Sequence, residues 1–159
     1  MKRSPFVEYL KSLAGDRAAM AALRRGLGKP GGDPAMYRYV VPFIGDKERH
    51  AWRYFTVAAL FGYHHDRLDG DNNVGKAMGT LERNDSLEKR FAWLVDSDTE
   101  DLPVRLKSIF SLLKSKGIGV DYHRLFADLG GWDHPDRYVQ LAWAKGFYRA
   151  SSSEETKQH

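Results

Sequence analysis

The chain has 159 residues, no cysteine and a formal net charge of +4, with 42% hydrophobic residues. That length supports one domain with a real core, burying about two-thirds of the surface the unfolded chain exposes. The missing cysteine excludes disulfides, thiolate metal sites and a cysteine nucleophile, and fits a reducing, cytoplasmic setting. No apolar run approaches the roughly 20 residues of a membrane span, and Met-Lys-Arg-Ser-Pro opens an amphipathic pattern instead of a signal peptide.

In chain order the punctuation is helical. Ser4-Pro5 reads as an N-cap with proline in the first turn, followed by Phe6, Leu10 and Leu13 on one face and Gly15 as the stop. Asp16 caps a second helix through Met20, Leu23 and Leu27 to Gly28 and Pro30. A short segment over 34–41 ends at Pro42, and Asp46 starts a longer helix carrying Trp52, Phe55, Ala59 and Tyr63. Residues 64–73 read as an exposed, turn-rich loop. Asp85 and Glu88 have capping-box spacing ahead of Phe91, Leu94 and Val95. Residues 102–116 form a helix stopped by Gly117, Asp121 caps the next, and Pro135 opens the last, with Val139, Ala142, Trp143, Gly146 and Phe147 facing inward.

All six prolines therefore fall at expected helix boundaries, and no run of period-two alternation is flanked by hairpin turns. The expected fold is an all-α, single-domain bundle of seven or eight helices over 1–150, with a disordered tail over 151–159 that has no apolar residue.

Charge is distributed unevenly. Residues 17–30 carry Arg17, Arg24, Arg25 and Lys29, and residues 102–120 carry Arg105, Lys107, Lys114 and Lys116, with no acid in either segment. Those eight cations exceed the whole-chain net charge of +4, leaving the remainder at −4. Blocks kept clean of carboxylates point to a polyanionic partner, most often nucleic acid.

At 100° per residue, the helix over 102–116 stacks Leu102, Leu106, Ile109 and Leu113 along one stripe. Arg105 and Lys116 flank it on one side and Lys107 and Lys114 on the other, while Ser108, Ser111 and Ser115 fill the outer face. Ammonium, guanidinium and hydroxyl groups all suit phosphate oxygens. The last helix adds Arg137, Lys145 and Arg149 beside Leu141 and Tyr148, a mixture that can hold a single strand by charge and stacking.

Catalytic motifs are weaker. His64-His65-Asp66, with Asp69, Asp71 and His50, is the best candidate and suggests a metal-dependent HD-type phosphohydrolase as the alternative reading. That chemistry wants its doublet on a rigid helix, and here it enters a loop. Asp96, Asp98, Glu100 and Asp101 lack the glycine of a calcium loop, and Trp132-Asp-His-Pro-Asp136 reads as a capped helix start. No serine sits in a nucleophile elbow. The chain is read as non-catalytic, with no metal and no cofactor.

The blocks Ala21-Ala-Leu-Arg-Arg-Gly-Leu-Gly-Lys-Pro30, Met36-Tyr37, Pro42, Ser86-Leu-Glu-Lys-Arg-Phe91, Ser111-Leu-Leu-Lys-Ser-Lys-Gly117 and Trp132-Asp-His-Pro135 through Tyr148 together resemble the CasB family. That family is the small subunit of the type I-E CRISPR surveillance complex, Cascade. The resemblance spans about residues 6–149 and implies a helical, non-enzymatic protein present in two copies beside the large and backbone subunits. It implies partners in crRNA, the target strand and the displaced non-target strand of the R-loop during antiviral defence. By matching position, Arg24, Arg25, Lys29, Lys114 and Lys116 are its motif cations; the others named above come from helical geometry. Residues 64–73 depart from the family pattern, being longer and more acidic. A purely structural subunit, whose cations meet acidic partner proteins, is the other alternative.

Overall fold

The computed structural model describes residues 3–66 and 72–158, with side chains to Arg149. Nine α-helices and no strand are found among the described residues: α1 (Pro5–Ser12), α2 (Arg17–Arg24), α3 (Tyr37–Ile44), α4 (Ala51–Tyr63), α5 (Val74–Gly79), α6 (Asp85–Val95), α7 (Leu102–Ser115), α8 (Tyr122–Gly130) and α9 (Tyr138–Gln158). Short 3-10 turns over Pro34–Met36 and Glu48–His50 lead into α3 and α4.

The expected caps form at three helix starts. Ser4 accepts from the Val7 amide, Asp16 from the Ala19 amide and Asp121 from the His123 and Arg124 amides, satisfying donors that the first turn leaves without partners. Elsewhere the boundaries move. Asn84, one residue earlier than Asp85, accepts from the Leu87 amide and caps α6. Pro42 does not end α3; the helix runs on to Ile44 and stops at Gly45, whose φ is 54°. Pro42 and Arg38 both face solvent, where a carbonyl released by the missing N–H can be hydrated. The long central helix starts at Ala51 after its 3-10 turn, not at Asp46.

The expected start of the last helix at Pro135 also shifts, to Tyr138, because Arg137 takes φ 53° and breaks the helical path. The backbone of 151–158 continues α9 where composition predicts a disordered tail. Helix propagation costs little once the inward-facing segment around Trp143 and Phe147 has nucleated it.

α4 is the centre. Nine consecutive residues, from Tyr54 to Gly62, are buried, so this helix has neighbours on every side. α2, α3, α7 and α8 pack on it, α1 packs on α8, and α6 packs on α7. α2 crosses α4 closely: a Cβ at Gly62 would lie 2.7 Å from Leu23 Cβ and 2.9 Å from the Met20 carbonyl oxygen. Tyr122 of α8 donates its hydroxyl to the carbonyls of Leu60, at 3.2 Å, and His64.

The helix missing from the sequence reading is α5, which raises the count to nine. It is only six residues long, and Asn73 caps it by accepting from the Lys76 amide at 2.8 Å. Its stability comes from α9. A Cβ at Gly75 would stand 2.0 Å from the Trp143 carbonyl oxygen, and one at Gly146 would stand 2.9 Å from the Lys76 amide nitrogen, so the two backbones touch where neither has a side chain. Beyond the crossing, Phe147 stacks on Phe91 with ring centroids 4.2 Å apart and planes 3° from parallel. The Arg83 guanidinium lies 3.9 Å from the Phe147 centroid and donates to the Phe147 carbonyl at 2.9 Å.

Trp143 is fully buried, and its ring N–H donates to Asp128 Oδ2 at 2.8 Å. Burial pushes the Asp128 carboxyl up to about 6 against that hydrogen bond.

Two stability tests follow from this packing. Gly75→Ala has no room against backbone, and is expected to cost about 1–3 kcal/mol by urea denaturation. Gly15→Ala, with nothing within 4 Å of its Cβ, is the neutral control. Because the folded state raises the Asp128 pKa above its unfolded value, it binds more protons between about 4 and 6, and stability falls as pH rises through that window. Asp128→Asn keeps the acceptor for Trp143, should flatten this part of the pH–stability curve, and should gain up to about 3 kcal/mol over the parent at pH 8.

Candidate nucleic-acid interface

The exit of α2 turns back onto α7. Gly28 adopts φ 75°, and a Cβ there would meet Lys107 Cδ at 3.4 Å and Val104 at 3.9 Å. The two acid-free segments thereby meet at the exit of α2. Arg17 and Arg24 on α2, and Lys107 and Lys116 on and just beyond α7, are exposed and form no salt bridge among the described residues.

Arg25 and Lys29, at the exit of α2, share an anion. Arg25 Nε lies 3.6 Å from Asp33 Oδ1, and Lys29 Nζ lies 3.5 Å from Asp33 Oδ2. The Ala35 amide, donating to Asp33 Oδ1 at 2.9 Å, holds that carboxyl below its usual range; Arg25 and Lys29 reinforce the effect against an opposing desolvation. The two cations are exposed while Asp33 is largely covered, and pairs this long with a solvated cation are worth little.

Along the outer face of α7 runs a trough of about 600 Å³ lined by Arg90, Val104, Lys107, Ser108, Ser111, Leu112 and Ser115. A second hollow shares Arg90 and Leu112 and reaches Lys116. Arg90 of α6 bridges the two helices, with Nη2 donating to Ser108 Oγ at 3.0 Å. Charge blocks could not have flagged Arg90, because Asp85 and Glu88 stand on the same helix; its pairing with the serine face needs α6 packed on α7.

Three expected cations have their donors engaged by the fold. Arg105 does not project from α7: its Nη1 donates to the Trp93 carbonyl at 2.7 Å and to Ser97 Oγ at 3.4 Å, and its Nη2 lies 3.5 Å from Asp101. Lys114 donates to the Tyr63 carbonyl at 2.5 Å and sits 4.4 Å from that ring's centroid. Arg137 donates to the Val95 carbonyl at 2.6 Å, which holds its left-handed backbone in place. These side chains tie α7 to α6 and α4, and the start of α9 to the end of α6.

The remaining pair, Lys145 and Arg149, is joined by Lys76 and Arg124, which the sequence did not bring to notice. With Lys76, Arg124, Asn73, Ala142 and Gly146 they line a second hollow of about 390 Å³. The α5–α9 crossing creates it. Leu141 and Tyr148 are both about half exposed, at 56% and 49%, and Tyr148 stands edge-on to Phe91 and Phe147.

The histidine doublet takes up structural work. His64 is buried and its Nε2 faces the Ile118 carbonyl at 2.5 Å, while His65 Nδ1 faces the Phe61 carbonyl at 3.1 Å and Nε2 lies 3.5 Å from Asp66. Asp69 and Asp71 lie outside the described residues. Among the described residues no three His, Asp or Glu side chains converge on a point that could hold a metal. Asp98 spends its carboxylate on the amides of Glu100 and Asp101, forming a turn between α6 and α7.

A helical protein with a cationic trough on one face and a second basic hollow on another is the class that this geometry defines. Within it, residues 19–148 match the family model for CRISPR-associated protein Cse2, and the chain belongs to that family. A CRISPR-associated protein Cse2 from Thermus thermophilus is 37% identical over 96% of this chain and 93% of its own length. The crystal structure of CasB from Thermus thermophilus superposes with a TM-score of 0.80 at 32% identity, covering 91% of this chain and 98% of that one. A chain of a CRISPR RNA-guided surveillance complex shares the fold at a TM-score of 0.81 and 24% identity, covering 97% and 95%.

The division between outward and engaged cations is testable by pairing substitutions. Arg105→Ala removes charge-assisted bonds to a carbonyl and should lower stability by about 1–2 kcal/mol. Lys107→Ala should leave the urea midpoint unchanged while weakening binding to a single-stranded oligonucleotide.

Proposed function

We propose that this chain is the non-catalytic small subunit of a CRISPR RNA-guided surveillance complex, gripping nucleic-acid backbone along the α2–α7 surface. The observation that carries the reading is the close approach of Gly28 to Lys107 and Val104, where the two acid-free segments meet at the edge of a serine-lined trough. Its partners would be crRNA, the target strand and the displaced strand, with two copies of the subunit lying against the large and backbone subunits. The family membership and the resemblance of the cation blocks support this placement.

The mechanism is electrostatic. Exchanging a DNA duplex for an RNA–DNA heteroduplex is nearly balanced, so backbone contacts that neutralise the separated strands favour the open state. Arg24 and Lys107 would supply charge without a protein counter-ion, Arg25 and Lys29 would exchange Asp33 for phosphate, and Ser111 would donate along the trough. None of these groups needs to read a base edge, which suits a subunit whose target sequence changes with every guide.

Fluorescence anisotropy with single-stranded RNA and DNA across a salt series tests this. Four to six phosphate contacts predict a slope of about −3 to −4 in log affinity against log salt, without sequence preference. Arg24→Glu combined with Lys107→Glu should make the slope shallower by at least about 1 and lower affinity tenfold or more on every sequence. An unchanged slope would remove the α2–α7 surface from the interface.

A further inference from the structure

A cleft that shares no lining residue with either basic surface opens between the start of α1, the end of α3, the start of α4 and the first two turns of α8. Its floor is aromatic. Phe6, Tyr54 and Phe126 meet pairwise at centroid distances of 5.0 to 5.5 Å, and Phe43 lies 5.2 Å from Phe6.

Arg53 lies within this cleft and is held rigidly. Its guanidinium carbon is 3.7 Å from the Phe126 centroid, and its Nε donates to the Phe126 carbonyl at 2.7 Å. Gly130 admits the group, since a Cβ there would stand 3.0 Å from the guanidinium carbon. Neither Nη finds an acceptor, and no carboxylate comes within 4 Å of the side chain, among the described residues. Burial lowers the Arg53 pKa, as expected of a cation deprived of water without a counter-ion.

The surrounding charges leave that cation uncompensated. Lys47 stands exposed on the rim and forms no ion pair among the described residues. Glu8 is already shared between Arg3, at 3.1 Å, and His123 Nε2, at 3.2 Å. His123 accepts the Ser4 amide on Nδ1 at 2.9 Å, which requires a bare nitrogen there and leaves the ring neutral.

We infer that this cleft docks a partner protein through a short peptide segment in which a carboxylate side chain adjoins an apolar one. The carboxylate takes the two free Nη groups of Arg53 in a bidentate pair with Lys47 alongside, and the apolar neighbour covers the partly exposed Phe43 ring. A nucleic-acid strand is a poorer fit, because it carries a charge at every step and needs a row of solvated cations, whereas this cleft offers one fixed fork among four rings. The site is independent of the nucleic-acid reading and can fail without it.

Titration of the isotopically labelled full chain, followed by NMR, tests the inference with three probes: the peptide Ac-Leu-Glu-Phe-NH2, its Gln counterpart, and the dinucleotide dTpdT. The Glu peptide should shift the Arg53 Nε–H and Phe126 ring resonances saturably, and the Gln peptide should bind at least fivefold more weakly. Lys47→Glu, on the exposed rim, should weaken the Glu peptide at least threefold while the Trp143 indole resonance stays in place. Arg53→Lys, which keeps the charge and loses the fork, should weaken it at least fivefold. Equal binding of the two peptides, tighter binding of dTpdT at these resonances, or no saturable shift with the Glu peptide would each overturn it.

Discussion

The structure depends on one helix having no solvent face. Nine consecutive buried residues in α4 oblige each helix around it to offer an apolar stripe inward and to keep its charges outward. α2 and α7 both obey, and the turn after α2 closes on α7 through Gly28 and Lys107. Two segments separated by about seventy residues of sequence therefore meet where Gly28 approaches Lys107 and Val104. The charge surface is a by-product of core packing, and its location is fixed by the same contacts that exclude water from α4.

A cation is useful to a ligand only if the fold has not already used it. Arg105, Lys114 and Arg137 each satisfy a carbonyl at a helix end or junction, where a long basic side chain can reach groups that the backbone leaves without partners. Arg83 is likewise engaged, donating to the Phe147 carbonyl in the middle of α9 while stacked on that ring. Arg24, Lys107 and Lys116 have no such duty and keep their charge toward solvent. Arg53 is intermediate: one nitrogen serves the fold and two remain free within an aromatic cleft, which is why it stands out chemically despite lying in neither basic block.

The α5–α9 crossing contributes in a different way. Gly75 and Gly146 let two backbones meet, so a six-residue helix too short to persist alone is held in place. That contact brings Lys76 beside Lys145 and Arg149 and forms the second hollow. It also fixes α9 so that Trp143 reaches Asp128, coupling the packing of the last helix to the protonation of a buried carboxyl.

Local signals were legible wherever the physics is local. Ser4, Asp16 and Asp121 cap their helices because a side-chain oxygen two or three residues from an amide needs nothing distant, and the apolar stripe of α7 follows from helical period alone. Pro42 misled because its cost depends on whether the released carbonyl faces water, and α5 escaped notice because its stability lies in α9. The sequence by itself determined an all-helical chain with two acid-free cation blocks, since periodicity, capping and charge are properties of neighbouring residues. Only the tertiary structure decided which cations remain free and that the two blocks meet at Gly28 and Lys107. Each of those outcomes turns on carbonyls, rings and glycines contributed by helices far apart in the chain.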